Sequence, residues 1–305
     1  EIITTIPRIC NKVNYRGRLY VKEEGQGFYI KRFWTNTTPG ILGRFVAWSI
    51  YVFWGMFNIL TINKGDILFL RLPPLQLGLV GMLAKRLKGA KVILNIQDIH
   101  PDLAIEAGIL SRPLVIKIAK IFEKLIYRES DLIIVISEGF RENLQNKGVD
   151  EDRMRIIPNW VDVNFLKPLP KDNYISRRFY LADKFVVMYA GTISITNFLS
   201  LASILEVANL LKDDTDIIFV IVGEGLKKGA LQEKANELNL TNVKFLPFLS
   251  YEDLPHLLSA SDILIVPLDT DKAELSVPSK LYSFMAVGKP ILCLAKDTSE
   301  VAKII

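Results

Sequence analysis

The sequence is poor in the residues of metal and redox chemistry. Two cysteines, Cys10 and Cys293, and two histidines, His100 and His256, are spread over 305 residues. Cysteines so far apart exclude a disulfide scaffold and a cysteine-rich zinc site, and they suit a reducing compartment. The two histidines leave no histidine-rich metal centre, and His256, in the helical pattern Pro255-His256-Leu257-Leu258, reads as a surface or core-edge residue. Also missing is an apolar run of the roughly 20 residues that a membrane-spanning helix needs. No secretory signal pattern is visible, and the chain opens on Glu1 rather than methionine, so a further N-terminal segment is expected.

What is present is a hydrophobic half: 50% of the residues are apolar, enough for a sizeable core. A chain of this length is expected to form two α/β domains. Charge is divided unevenly, with a net +7 over residues 1–166 and −2 over residues 167–305. The basic half calls for an anionic neighbour. No helix-turn-helix, zinc-finger or aromatic RNA-binding pattern accompanies it, which argues against nucleic acid and for a membrane surface or phosphorylated lipid. The run Phe45–Leu60 (FVAWSIYVFWGMFNIL), flanked by Arg44 and Lys64, supports the lipid reading. Trp48, Phe53 and Trp54, with Tyr51, are residues of the headgroup boundary, so a membrane-associating helix is expected near 43–62. A core helix beneath the first sheet, and a true span for which the run is slightly short, are the competing readings.

Beyond this run, short apolar segments alternate with helical ones. Strands are expected at 66–70, 91–96, 131–136 and 154–157, with helices near 75–88, 113–128 and 138–147. A polar, proline-bearing stretch, 167–178 (KPLPKDNYISRR), then reads as a connection. The rhythm resumes with strands at 185–190, 217–222, 243–246, 263–266 and 291–294. Each half thus carries the βαβ pattern of a parallel sheet. The division is placed at 1–166 and 167–305.

Ligands of such sheets sit at the carboxyl ends of the strands. Three strand-end segments stand out: Gly191-Thr192, then Gly223-Glu224-Gly225, then Val277 to Ile291, with Leu246 closing a neighbouring strand. In the last, Pro278 stiffens the entry, Ser279 is placed to cap a helix, Lys280 lies in its first turn and Gly288 ends it. A capped helix start presents bare amides and a positive dipole end to an anion. An ordinary helix-strand connection with an incidental lysine is the alternative. Asp131 and Asp262, each just before a strand, read as structural.

These segments together resemble family 4 (group 1) glycosyltransferases. The resemblance is carried by Ser130 to Glu138 (SDLIIVISE), Ile156 to Asp162 with Phe165, Val187 to Gly191, Val222 to Gly225, Asn242 to Leu246, Ala260 to Pro267 and the Val277 to Ile291 segment. It implies the GT-B fold, two Rossmann-like doubly wound parallel-sheet domains facing across a cleft. It also implies transfer of a sugar, hexosyl or N-acetylhexosaminyl, from a nucleotide-diphosphate donor with retention and without metal or other cofactor. The most similar members assemble bacterial exopolysaccharide and O-antigen, which implies a lipid-linked saccharide acceptor and a cytoplasmic place at the inner face of the plasma membrane. Relatives begin with a glycine-rich strand and end with a further helix, so the chain is expected to be truncated at both ends.

The chain departs from the family pattern in its donor half. Where relatives carry a pair of glutamates, the second position is Ser283, and the first falls near Leu275 beside Glu274. The basic residues that follow the equivalent of Gly191 are missing, which leaves Lys280 and the amides from Ser279 to meet the diphosphate. In the first half, Gln97 stands where relatives place a histidine, leaving Asp98 as the matched carboxylate and His100 two residues on. Asp98 is a candidate to take the acceptor proton or stabilise charge on the sugar, with a helix cap as the alternative. His100 is a candidate to orient a phosphate, with a structural hydrogen-bond partner as the alternative. Two other classes compete: a sugar-nucleotide 2-epimerase of the same fold, disfavoured by scarce histidine, and a nucleotide-sugar-binding subunit without catalysis, motivated by Ser283 and the bare Gly191 loop.

Overall fold

The computed structural model describes residues 1–6, 15, 17–36, 38, 40–106, 108–194, 197–268 and 275–305. The chain divides into two units, Glu1–Ile136 with Phe140–Ile157, and Ser137–Gly139 with Pro158–Ile305. The division after Ile157 precedes the expected one at 166. Ser137–Gly139 join the second unit because the Gly139 amide donates to the buried Glu300 carboxylate at 2.9 Å.

The first unit opens with strands β1 (Ile2–Thr5), β2 (Tyr20–Gly25) and β3 (Phe28–Phe33), ordered β1-β3-β2 in a small sheet of their own. No element was expected here, since charges break the apolar alternation. The sheet tolerates them because its strands are only partly buried and their charges meet across it, as in Arg32 to Glu23 at 2.9 Å. Helix α1 (Ile41–Asn58) follows. Then come β4 (Ile67–Leu72), α2 (Leu77–Lys88), β5 (Lys91–Ile96), α3 (Asp102–Glu106), α4 (Pro113–Glu129), β6 (Leu132–Val135), α5 (Glu138–Asn146) and β7 (Met154–Ile156). Strands β4-β5-β6-β7 form a parallel sheet in that order.

The second unit holds α6 (Tyr174–Arg178), β8 (Phe185–Ala190), α7 (Phe198–Leu210), β9 (Ile217–Val222), α8 (Lys228–Glu237), β10 (Val243–Leu246), α9 (Leu254–Ser259), β11 (Ile263–Pro267), α10 (Lys280–Ala286), β12 (Ile291–Leu294) and α11 (Glu300–Ile304). Its sheet is parallel throughout in the order β10-β9-β8-β11-β12. Strand β9, IIFVIV, is buried along almost its whole length, as a parallel strand covered on both faces must be. Tyr189, Phe219, Ile221 and Ile265 share a core with α7 and α8 through Leu201, Leu205 and Leu231.

One device starts both parallel sheets. Asp131 accepts the Val92 amide that opens β5 (2.8 Å) and pairs with Lys85 (3.0 Å). Asp262 likewise accepts the Val186 amide of β8 (2.7 Å) and pairs with Lys171 (2.6 Å). Both aspartates are structural.

Candidate active site

In the second sheet β8 and β11 are neighbours although β9 and β10 lie between them in sequence. The chain fills one side of the sheet and then the other, so a crevice opens at the carboxyl ends of these two strands. Gly191 follows β8, and Lys280 opens the helix after β11. The topology therefore puts both expected donor residues on the two sides of this switch point.

Their side chains meet. Lys280 Nζ donates to the Tyr189 hydroxyl at 2.9 Å and lies 4.1 Å from the centre of that ring. The hydroxyl donates to the Thr192 carbonyl at 2.7 Å and accepts a second bond from Asn197 Nδ2 at 2.9 Å. Asn197 also donates to the Thr192 carbonyl (2.9 Å), and its side-chain oxygen accepts the Ser194 amide (2.9 Å). A Cβ on Gly191 would collide with Lys280 Nζ, so the glycine leaves room for the ammonium against the loop. Burial pulls Lys280 down to about 7 and holds the Tyr189 hydroxyl well above its usual range.

The glycine loops pack backbone on backbone. Gly223 and Gly225 have φ of +150° and +156°, and a Cβ on either would overlap a carbonyl oxygen, that of Gly191 or of Ile193. The Gly191 amide donates to the Val222 carbonyl (2.9 Å), the Ile193 amide to Glu224 (2.9 Å), and the Gly223 amide to Leu246 (3.0 Å). Leu246 is thus buried support for the loop, and Thr192 contributes its carbonyl while its side chain is exposed.

The helix start differs from expectation. Ser279 takes a helical backbone (φ −58°, ψ −25°) and makes no side-chain cap bond, because the turn already begins at Pro278, whose carbonyl accepts the Leu281 amide at 3.0 Å. Ser283 lies one helical turn beyond Lys280 and is half-buried. Glu274 lies outside the described residues. Tyr189 as the partner of Lys280, and Asn197 as the partner of Tyr189, escaped the sequence reading. The available signal was a tyrosine one residue before the end of an otherwise apolar strand, whose buried hydroxyl needs partners.

On the first unit, β5 runs into Asp98 and His100, both half-buried. Burial raises the Asp98 pKa, opposed by the nearby Arg71. Asp98 is not needed as a cap, since the first amides of α3 go to the Ile99 and Pro101 carbonyls at 2.9–3.0 Å. Burial, helped by Arg44 and opposed by Asp102, lowers His100, which stays neutral at pH 7. Its ring meets Trp48 edge-on at 5.9 Å between centroids. Trp48 also lines a 320 Å³ cavity with Thr5, Thr35, Arg44, Tyr51 and Pro73 among its walls. Trp54 is turned inward and stacks on Phe33 at 4.5 Å, whereas Phe53 is exposed. The structure thus brings Trp48 to His100 and leaves the exposed Phe53 edge-on against Trp54, at 5.6 Å between centroids. Among the described residues, no helix is long and apolar enough to cross a membrane.

Residues 12–160 match the family described as "Glycosyl transferase 4-like domain", and residues 177–303 match "Glycosyl transferases group 1". The chain belongs to the group 1 glycosyltransferases. Among curated relatives, "Putative colanic acid biosynthesis glycosyl transferase WcaI" of Escherichia coli (strain K12) is 28% identical over 73% of this chain and 55% of its own length. "Probable glycosyltransferase WbjE" of Pseudomonas aeruginosa is 24% identical over 80% of this chain and 60% of its own. The chain therefore spans little more than half the length of these relatives. Among solved structures, Anabaena HepE in complex with UDP and glucose superimposes with a TM-score of 0.66 at 19% identity, covering 90% of this chain and 69% of its own. Sucrose-phosphate synthase of Thermosynechococcus elongatus gives 0.65 at 16% identity, covering 92% and 69%. These likenesses show a shared fold, the GT-B glycosyltransferase fold of two parallel-sheet α/β units.

Proposed function

We propose that this group 1 glycosyltransferase transfers a hexosyl or N-acetylhexosaminyl unit, with retention and without a metal, from a nucleotide-diphosphate sugar to a lipid-linked saccharide in bacterial surface polysaccharide synthesis. It works peripherally on the cytoplasmic face of the plasma membrane. The observation that carries the reading is Lys280 Nζ, held at 2.9 Å by Tyr189 against the Gly191 loop at the switch point of the second sheet. An ammonium fixed beside bare loop backbone is suited to a diphosphate. WcaI supports the polysaccharide setting by its name, and the UDP and glucose held by HepE support a uridine donor as the first to test.

In this reading the Lys280 cation balances charge that grows on the leaving diphosphate, which the low-dielectric surround strengthens. Ser283, one turn on, offers a single hydroxyl to the donor where a carboxylate would hold two. Asp98 and His100 serve the acceptor. The raised carboxyl of Asp98 is matched to receiving a hydroxyl proton, and neutral His100 with Arg44 lines the approach for a phosphorylated group.

The test is full-length protein incubated with UDP-, GDP- and dTDP-sugars and membrane lipid extract, with nucleoside diphosphate release and label in lipid both followed. Transfer that needs lipid, lost in Lys280→Ala and cut at least about a hundredfold in Asp98→Asn with donor binding intact, is expected. Conversion of the donor without acceptor indicates an epimerase. Tight donor binding without turnover on any acceptor indicates a binding subunit.

A further inference from the structure

Helix α2 lies between α1 and α4. Gly55 of α1 faces Val80 and Leu77 of α2, and Gly78 of α2 faces Ile126 of α4, each so closely that a Cβ would crowd the neighbour. Gly81 of α2 rests against Leu70 and Val92 of the parallel sheet. The three helices form one layer, and their remaining faces are apolar where a surface layer is ordinarily polar.

On α1, Leu42, Phe45, Phe53, Phe57 and Leu60 with its following turn recur at helical spacing, and each leaves more than half its surface exposed. On α2, Leu83 and Leu87 lie opposite the residues that touch the sheet, with Leu87 70% exposed. On α4, Leu114, Ile118 and Ile121 form a third stripe, exposed to 70%, 58% and 61%. Beside it runs a groove of 550 Å³ lined by Pro113, Ile116, Lys117, Lys120, Ile121 and Lys124.

Charge on this layer is predominantly positive. Helices α1 and α2 contain no Asp or Glu. Of the acids of α4, Glu123 is buried and paired with Lys147 at 2.6 Å, and Glu129 is neutralised within the layer by Arg86 of α2 at 3.3 Å. Lys117, Lys120 and Lys124 are exposed along one flank of the α4 stripe. Long apolar stems with cationic heads beside an apolar stripe fit the boundary between acyl chains and anionic headgroups. Protein interfaces also have apolar cores; what favours a bilayer here is the row of exposed Lys117, Lys120 and Lys124 beside the stripe, which matches anionic headgroups at the edge of an apolar layer.

We propose that the outer surface of α1, α2 and α4 is a docking face for an anionic phospholipid bilayer, with the leucine, isoleucine and phenylalanine stripes entering the headgroup boundary and the α4 lysines pairing with lipid phosphates. The proposal deepens the membrane contact above and rests on that reading for its biological purpose. It moves the main contact from the tryptophans of α1 to the outward stripes of three helices.

Flotation of full-length protein with vesicles of phosphatidylcholine alone, and of phosphatidylcholine mixed with phosphatidylglycerol, tests it. Binding to the mixed vesicles and little to the neutral ones is expected. Leu114→Ser with Ile118→Ser, or Phe53→Ser with Leu87→Ser, weakens binding at least about tenfold. The triple change Lys117→Glu, Lys120→Glu and Lys124→Glu weakens binding to the anionic vesicles by roughly a hundredfold or more. Leu210→Ser, an equally exposed leucine of the second unit, leaves it unchanged. Melting temperatures near that of the parent show that the variants fold. Absence of flotation on either vesicle, variants that float like the parent, or variants that lose self-association in sedimentation while still floating would each overturn the proposal. Protein that floats but transfers no sugar sinks the transferase reading and leaves the docking face standing; protein that transfers sugar without floating does the reverse.

Discussion

At neutral pH the Lys280 ammonium and its neutral amine coexist, since burial brings the group to about 7. A diphosphate beside it favours the charged form, so binding above pH 7 must take up a proton. The affinity for UDP is therefore expected to be flat below about pH 7 and to fall above it by up to tenfold per pH unit. Isothermal titration at several pH values in buffers of different ionisation heat checks both the slope and the proton uptake. Lys280→Arg, always charged, is expected to remove the slope. The same burial carries a stability cost. The folded state binds its Lys280 proton more weakly than the unfolded chain, whose lysine titrates near 10.5, so stability rises with pH from about 7 toward 10.5 as the unfolded excess of protons disappears. Lys280→Met is expected to raise the melting temperature at pH 7 while abolishing UDP binding; a melting temperature that falls would contradict a desolvated lysine. Tyr189→Phe removes the acceptor of Lys280 and the donor to Thr192. It is expected to cost about 1–3 kcal/mol in stability and to shift the pH at which UDP affinity begins to fall, whereas a purely packing role would leave that pH unchanged.

The donor loops show how an element can be legible while its contacts are not. The glycines after β8 and β9 announced tight turns, yet their need for glycine comes from each other: Gly223 lies against the Gly191 carbonyl and Gly225 against that of Ile193. Gly223→Ala is expected to separate the loops, lowering stability by about 2–4 kcal/mol and abolishing UDP binding, as melting and titration would record. An unchanged affinity would remove the loops from the donor site. The parallel strands lie where the apolar segments placed them because strands covered on both faces are continuous apolar runs that need no partner to be recognised. Strands β2 and β3 were hidden because their charged residues are matched only across the hairpin, as Arg32 is by Glu23. Helix α1 was expected near 43–62, and there only the facing of its side chains was hidden. With nearly every residue apolar, its periodicity could not say that Trp54 turns to Phe33 while Phe53 turns out.

Across the whole molecule, each unit has its own parallel sheet and its own covering helices, and among the described residues no sheet is shared between them. Calorimetry of the full chain is expected to resolve two transitions, and UDP at about a hundred times its dissociation constant should stabilise the second unit alone by ~2.7 kcal/mol. A single transition that shifts as one would argue that the units melt together. The sequence by itself determined the two parallel α/β units, their strands, the family and the residues Gly191, Lys280, Asp98 and His100 as candidates, because burial patterns and strand-end glycines are local consequences of backbone geometry. Only the tertiary structure decided that Lys280 meets Tyr189 and that Asn197 holds the same hydroxyl, that Ser279 caps nothing, and which faces of α1, α2 and α4 remain apolar and open. Those facts depend on which strands become neighbours in a sheet, and that adjacency brings together residues as distant as 189 and 280.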